Sequence, residues 1–377
     1  MARLASPTAP DPMSRPPYSE IVANLPSVTP FVGPETIERQ QGKAFRVRIG
    51  ANESAFGVSP RAAAAMSEAA QGVAWYCDPE GYELRAELAA MHGVDIENVT
   101  LGAGIDDLLG LIVRMYMDPG DAVAASLGCY PTFVYHVDGF GGRLETVPYR
   151  NDRNDLSALT DLAAKQQASI LYLSNPDNPT GSYYGSNAVS DLLDRVPPDC
   201  LFILDEAYLD FVPPDTILPI DVEDPRLIRV RTFSKAHGMA GARVGYAIAH
   251  RDVIRTFDKV RLHFGVSLVA QAGALASLRD PEFVASVVKA VEAGREDYRE
   301  LAGDAGISSL PSQTNFVAFD FGTGERAGAV MNTLIERGVF LRKPAAPGLD
   351  RLVRVTVGTP GDRAVFSELF LEVMNEV

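Results

Sequence analysis

The sequence predicts an α/β protein with a mainly parallel sheet flanked by helices, followed by a smaller α+β unit at the C-terminus. Three observations carry this. From about Arg46 onward, short apolar runs of strand length alternate with amphipathic helical stretches, the pattern of parallel strands joined by helices. Beyond about residue 275 the rhythm changes to one long helix followed by strands and helices. The chain also has 377 residues, more than one domain usually holds. The division that follows is an N-terminal arm over 1–45, a large domain over 46–275 and a small domain over 276–377.

The arm begins MARLASPTAPDPMSRPPYSE, Pro- and Ser-rich, without the apolar stretch of a signal peptide. Its first twenty or so residues read as flexible, and the arm is expected to pack on the small domain or on a partner subunit. Ser59-Pro60 caps a helix through the alanines at 62–65, with proline in its first turn. Gly81 to His92 has helical spacing, with Leu84, Leu88 and Met91 on one face. Gly102-Ala103-Gly104 opens a helix carrying Leu108, Leu111, Ile112 and Met115, which Asp118-Pro119-Gly120-Asp121 ends. Ile170 to Leu173, Leu201 to Leu204, Ile228 to Thr232 and Arg243 to Ile248 read as strands, the third despite two arginines. Ser267 to Leu278 is Ala/Leu-rich but short and contains Gln271, so it reads as a buried helix rather than a membrane span, which takes about 20 apolar residues. In the small domain the pattern predicts a helix over 281–302, a strand from Asn315 to Asp320, a helix over 325–337, strands over 339–342 and 352–357, and a closing helix.

The formal net charge is -15, spread along the chain. Such a field repels phosphate backbones, which argues against nucleic-acid binding but leaves room for an anionic substrate gripped by a few local arginines. The three cysteines and five histidines show neither redox nor metal-ligand spacing, so free thiols, a cytoplasmic location and no metal site are expected.

Four segments carry chemistry, each at a strand end or a helix start, where open α/β sheets bind ligands. Ser174-Asn175-Pro176-Asp177-Asn178-Pro179-Thr180-Gly181 follows a strand; its dipeptides alone read as a turn. Leu204-Asp205-Glu206-Ala207-Tyr208 puts a carboxylate at the end of an apolar strand, with a tyrosine three residues on. Thr232-Phe233-Ser234-Lys235, with Gly238, Gly241 and Arg243 behind it, surrounds a lysine with small residues in a way that surface charge explains poorly. Arg354 lies inside the apolar run Val353-Arg354-Val355-Thr356-Val357, where by itself it divides evenly between a functional and a structural role.

In order and spacing these segments resemble the fold-type I pyridoxal-phosphate enzymes, and most closely the histidinol-phosphate aminotransferase family. The resemblance runs from Thr29-Pro30-Phe31 to the end of the chain. It implies pyridoxal 5'-phosphate as cofactor and an amino group moved between a small-molecule donor and a 2-oxo acid. Lys235 would bond the cofactor aldehyde and later carry a proton, as an amine does only when unprotonated. Asp205 would pair with the ring nitrogen, Asn178 and Tyr208 with the ring hydroxyl oxygen, and Tyr130 would stack on the ring. The phosphate would sit on the backbone N–H groups of Gly104, Ile105 and Asp106 at a helix start, with Ser234 and Arg243 as further donors. Tyr76 matches a tyrosine that reaches the phosphate from a neighbouring subunit, which implies a homodimer with a shared site. Arg354 matches the clamp on a substrate α-carboxylate, Arg342 an arginine near the substrate's distal group, and Asn52 a further active-site segment. On context alone Arg342 also reads as a surface arginine beside Lys343.

The pattern departs from the family in places. Phe31 stands where a tyrosine can touch substrate phosphate, and it lacks that hydroxyl. Asn52-Glu53-Ser54-Ala55-Phe56-Gly57 replaces a more usual Asn-Glu-Asn-Pro-x-Gly, Ile105 replaces a small polar residue, Cys77 a proline and His237 an apolar residue. L-Histidinol phosphate with 2-oxoglutarate is the first substrate pair implied, with aromatic amino acids next. A decarboxylase of a phosphorylated amino acid and a non-catalytic pyridoxal-phosphate-binding protein are the alternatives.

Overall fold

A computed structural model describes residues 16–26 and 31–376. The stretch read as flexible falls mostly on residues 1–15, and Thr29 and Pro30 also lie outside the described residues. Twelve strands are described: β1 (Val47–Arg48), β2 (Val99–Gly102), β3 (Ala122–Ser126), β4 (Arg143–Val147), β5 (Ile170–Ser174), β6 (Leu201–Asp205), β7 (Leu227–Thr232), β8 (Gly245–Ala249), β9 (Ser308–Ser309), β10 (Phe316–Asp320), β11 (Val339–Phe340) and β12 (Leu352–Thr356).

Seven of them form the central sheet, in the order β2-β8-β7-β6-β5-β3-β4, with β8 running against its neighbours β2 and β7. β3, β5 and β6 are buried along their whole length, because helices cover both faces of the sheet and leave no side for polar alternation. On one face Leu108 and Ile112 pack with Tyr172 and Ile203; on the other Ala163 and Leu192 pack with Leu171 and Phe202. Arg229 interrupts β7 yet is only 1% exposed. Glu206 makes this tolerable by accepting from Nη2 at 2.6 Å and Nε at 3.0 Å, while the Leu218 and Pro219 carbonyls take further N–H groups.

The C-terminal unit is built on the antiparallel sheet β12-β10-β9 and on β1, which pairs with β11 in parallel. Its core stacks Tyr298, Phe319, Phe366 and Phe370 edge to face or offset, each ring adding about 2–3 kcal/mol by burial.

Ser59 caps the helix Pro60–Ala69 by accepting from the Arg61 and Ala62 N–H groups. The helix Leu268–Leu278 lies against it, with Gly273 on Met66, and buries Ala270, Ala274 and Ser277. Three expectations need correction. Met91 is 52% exposed, because the helix Tyr82–His92 buries only Leu84, Leu88 and Ala89. Arg243 does not begin a strand: it turns through the left-handed region at φ 56°, and β8 starts two residues later. The strand over 339–342 is shorter, and Arg342 instead bridges the backbone of Arg354. The arm meets both units: its helix Glu20–Asn24 lies on the helix Pro131–Gly139 beside the large sheet, while Phe45 packs on Phe340 and Lys43 donates to the Glu336 carbonyl in the C-terminal unit.

Candidate active site

The C-terminal ends of β5, β6 and β7 open onto one cavity of about 450 Å³. The chain reverses its building direction between β3 and β5, and the loops after those strands carry Tyr130 and Asn178. Lys235, Asp205, Tyr208, Asn178, Tyr130, Ser234, Arg243, Ile105, Asp106 and Phe31 all line this cavity. The sequence places them up to about 200 residues apart; the sheet brings them together.

Asp205 ends β6 with its carboxylate buried. Oδ2 accepts from the Tyr172 hydroxyl at 2.7 Å and Oδ1 from the Ala207 N–H at 3.0 Å. Burial raises its pKa to about 6 against the pull of those two donors. Tyr172 was missed by sequence reasoning. A tyrosine inside a fully apolar strand was the available signal, since a buried phenol needs a polar partner.

Lys235 follows β7, and its Nζ donates to the Asn52 carbonyl at 2.9 Å and stands 5.4 Å from the centre of the Tyr208 ring. The Tyr208 oxygen accepts from Asn52 Nδ2 at 3.0 Å. Asn52 therefore touches both residues from the side of the C-terminal unit.

At the far end of the cavity the helix Ile105–Tyr116 begins at Gly104, whose φ of 86° suits glycine. A Cβ there would collide with the Arg243 guanidinium. Arg243 meets Asp106 Oδ2 at 3.3 Å, and the Tyr130 hydroxyl donates to Asp106 Oδ1 at 2.8 Å. The Thr232 hydroxyl donates to Ser234 Oγ at 2.9 Å. Helix start, serine and arginine form a donor set for an anion with several oxygens.

A second cavity of about 760 Å³ adjoins the first at Asn178. Arg342, Lys343 and Arg354 line it, together with apolar residues such as Leu127, Val134 and Leu341. The Arg354 N–H donates to the Arg342 carbonyl at 2.9 Å, an antiparallel pairing that brings the two side chains close enough for their charges to repel. Arg354 Nη1 donates to Asn178 Oδ1, while its buried Nε has no partner. Arg342 lies face-on against Phe31, 3.3 Å from the ring centre, and donates to the Val32 carbonyl. Burial, with the Arg354 charge behind it, lowers the Arg342 pKa to about 10. Tyr76 stands apart from both cavities: it is 82% exposed and stacks on Phe264 with centres 4.5 Å apart.

These donors fit pyridoxal phosphate: a glycine-floored helix start for a phosphate, a buried carboxyl for a ring nitrogen, and a lysine lining the same cavity. Residues 46–368 match the family model of aminotransferase class I and II. The chain belongs to that family. The family is pyridoxal-phosphate dependent and transfers amino groups. Among curated relatives, the histidinol-phosphate aminotransferase 2 of Carboxydothermus hydrogenoformans is 34% identical over 91% of this chain and 95% of its own length. That of Moorella thermoacetica is 32% identical over 94% of this chain and 92% of its own. Among solved structures, a histidinol-phosphate aminotransferase from Sinorhizobium meliloti in complex with pyridoxal-5'-phosphate superposes with a TM-score of 0.93 at 40% identity, covering 97% of this chain and 99% of that one. Among the described residues no helix is long and apolar enough to cross a membrane.

Proposed function

We propose that the chain binds pyridoxal phosphate between Asp205 and Lys235 and moves an amino group from L-histidinol phosphate to 2-oxoglutarate. The observation that carries this is the shared cavity, in which a buried carboxyl, a lysine and an anion-binding helix start face one space. The cofactor, when bound, supplies an electron sink for the pair released as the substrate Cα–H bond breaks. Lys235 Nζ takes that proton and returns it. Asp205 holds a positive charge at the ring nitrogen, and Tyr172 and the Ala207 N–H keep its carboxylate aimed. Asn178 and Tyr208 bind the ring hydroxyl oxygen, while Ser234, Arg243 and the N–H groups at 104–106 hold the phosphate. Tyr130 excludes water from one ring face.

Arg354 grips the α-carboxylate of the 2-oxo acid, and the unpartnered Nε supports this because a buried guanidinium N–H calls for an acceptor. Arg342 and Lys343 meet a distal anion, a phosphate on one substrate and a carboxylate on the other. The names of the relatives support the phosphorylated donor. One observation favours a second reading, an aromatic donor: Phe31 covers a face of Arg342, and much of the second cavity is apolar.

We also place the enzyme in the cytoplasm as a homodimer. Three free thiols support the first. The exposed apolar cluster of Trp75, Tyr76, Leu262 and Phe264 supports the second, with Tyr76 reaching a neighbour's site. An amino-donor screen on the cofactor-loaded enzyme tests the reading. Histidinol phosphate should bleach the visible cofactor band and 2-oxoglutarate should restore it; a band that answers only to phenylalanine or tyrosine would install the aromatic reading. Carbon dioxide release without bleaching would overturn both.

A further inference from the structure

We propose that Thr356 and Asn315 are positioning residues for Tyr208 and Lys235, acting through Asn52. The inference rests on the reading of the cavity given above and adds residues that reading does not use.

Asn52 is 3% exposed and sits in the left-handed region at φ 56°, where asparagine is tolerated better than most residues. All four of its polar atoms are engaged. Its N–H donates to Thr356 Oγ1 at 3.1 Å, and its Oδ1 accepts from the same hydroxyl at 3.1 Å. Its Nδ2 donates to the Tyr208 oxygen at 3.0 Å. Its carbonyl accepts from Lys235 Nζ at 2.9 Å and from Asn315 Nδ2 at 3.1 Å.

The two-way exchange with Thr356 decides which way the Asn52 amide faces. A hydroxyl has one proton to give. Here it goes to Asn52 Oδ1, so Nδ2 turns toward Tyr208, and the tyrosine oxygen accepts. The tyrosine's own proton is then free for a group in the cavity. The reversed amide would present Oδ1 to Tyr208 and consume that proton, and it would direct two N–H groups at Thr356 Oγ1. Thr356 is 3% exposed, so its displaced proton would have no water to turn to.

Asn315 works on the backbone. Its Nδ2 donates to the carbonyls of Asn52 and of Glu53, the latter at 3.2 Å. This holds the Asn52 carbonyl where Lys235 Nζ meets it. The residue is 2% exposed and its Oδ1 has no partner. An orphaned buried oxygen is a stability cost that an apolar residue would avoid, which points to what its Nδ2 does rather than to packing.

Both residues belong to the C-terminal unit. Thr356 lies two positions after Arg354 on β12, hence on the same face of that strand. Asn315 immediately precedes β10. The sheet that carries the Arg354 guanidinium thus also orients the tyrosine, through Thr356 on β12, and the lysine, through Asn315 beside β10.

The test uses the cofactor-loaded full chain with T356V, T356S and N315L, following unfolding midpoint, the pH midpoint of the visible cofactor band, kcat and KM. A hydrogen bond donated to the ring hydroxyl oxygen favours its negative form, so misaligning Tyr208 raises the pH midpoint. T356V should raise it by about 0.5 unit or more and lower kcat about tenfold, with KM for the 2-oxo acid within about threefold. T356S restores the hydroxyl and should recover both to within about twofold. N315L should lower kcat about tenfold while its unfolding midpoint stays level or rises. A T356V enzyme with unchanged midpoint and kcat, a T356S enzyme as impaired as T356V, or a fully active N315L enzyme would overturn the inference. Wild type run alongside separates the claims. Without a visible band the cofactor reading falls and takes this inference with it; with a normal band and indifferent variants the inference falls alone.

Discussion

Asp205→Asn removes a titrating group whose effect on stability has a definite sign in the cofactor-free protein. Burial lifts the Asp205 pKa from an ordinary 3.8 to about 6. The folded state therefore holds this proton more tightly than the unfolded chain, and stability falls as pH rises from about 4 to about 6. The whole span amounts to about 3 kcal/mol, of which about 1.4 kcal/mol falls between pH 5 and pH 7.5. Asparagine does not titrate, so the difference in unfolding free energy between wild type and variant should change by about 1.4 kcal/mol across that window, to the detriment of wild type at the higher pH. Urea denaturation of both cofactor-free proteins at the two pH values measures it, and the comparison cancels every other titrating group. With saturating pyridoxal phosphate a cation faces the carboxylate, its pKa drops, and the trend should vanish or reverse. A difference between wild type and variant that stays constant in pH without cofactor would refute the claim that Asp205 is a strained acid awaiting a positive partner.

Two further outcomes follow from buried charge. Arg354→Lys keeps a cation but loses the forked grip, so kcat/KM for the 2-oxo acid should fall about 100-fold, measured by steady-state kinetics; a change under threefold would place the carboxylate elsewhere. Glu206→Ala strands Arg229 in the sheet without its partner and should cost about 3–5 kcal/mol in urea denaturation, whereas a loss under 1 kcal/mol would mean that the surrounding carbonyls suffice.

Local signals carried much of the architecture. Ser59-Pro60 is a cap because its hydroxyl and its missing N–H act within one turn. The run 201–204 is a buried strand because no polar residue interrupts it. Failures came where a residue's partner is remote. Met91 has the spacing of a core position, but the helix Tyr82–His92 turns only a narrow stripe inward. Arg243 continues an apolar run, yet it turns in the left-handed region to approach Asp106. Three of the four chemical segments were legible because they concentrate glycine, proline or charge at a strand end, and Arg354 because it is a lone charge in the middle of β12. Thr356 and Asn315 were not. In sequence they are ordinary polar residues at the edges of strands, and their partner Asn52 lies more than 260 positions away. Tyr172 is similar: its hydroxyl acquires meaning only when β5 and β6 pair and bring Asp205 within reach.

Borohydride reduction of the pyridoxal-phosphate-loaded enzyme, followed by digestion and peptide mass mapping, bears on the central claim most directly. A permanent cofactor mass is expected on the peptide containing Lys235, and its loss together with the visible band in a Lys235→Ala protein that still folds. Cofactor mass on another lysine, or an intact band in Lys235→Ala, would contradict it.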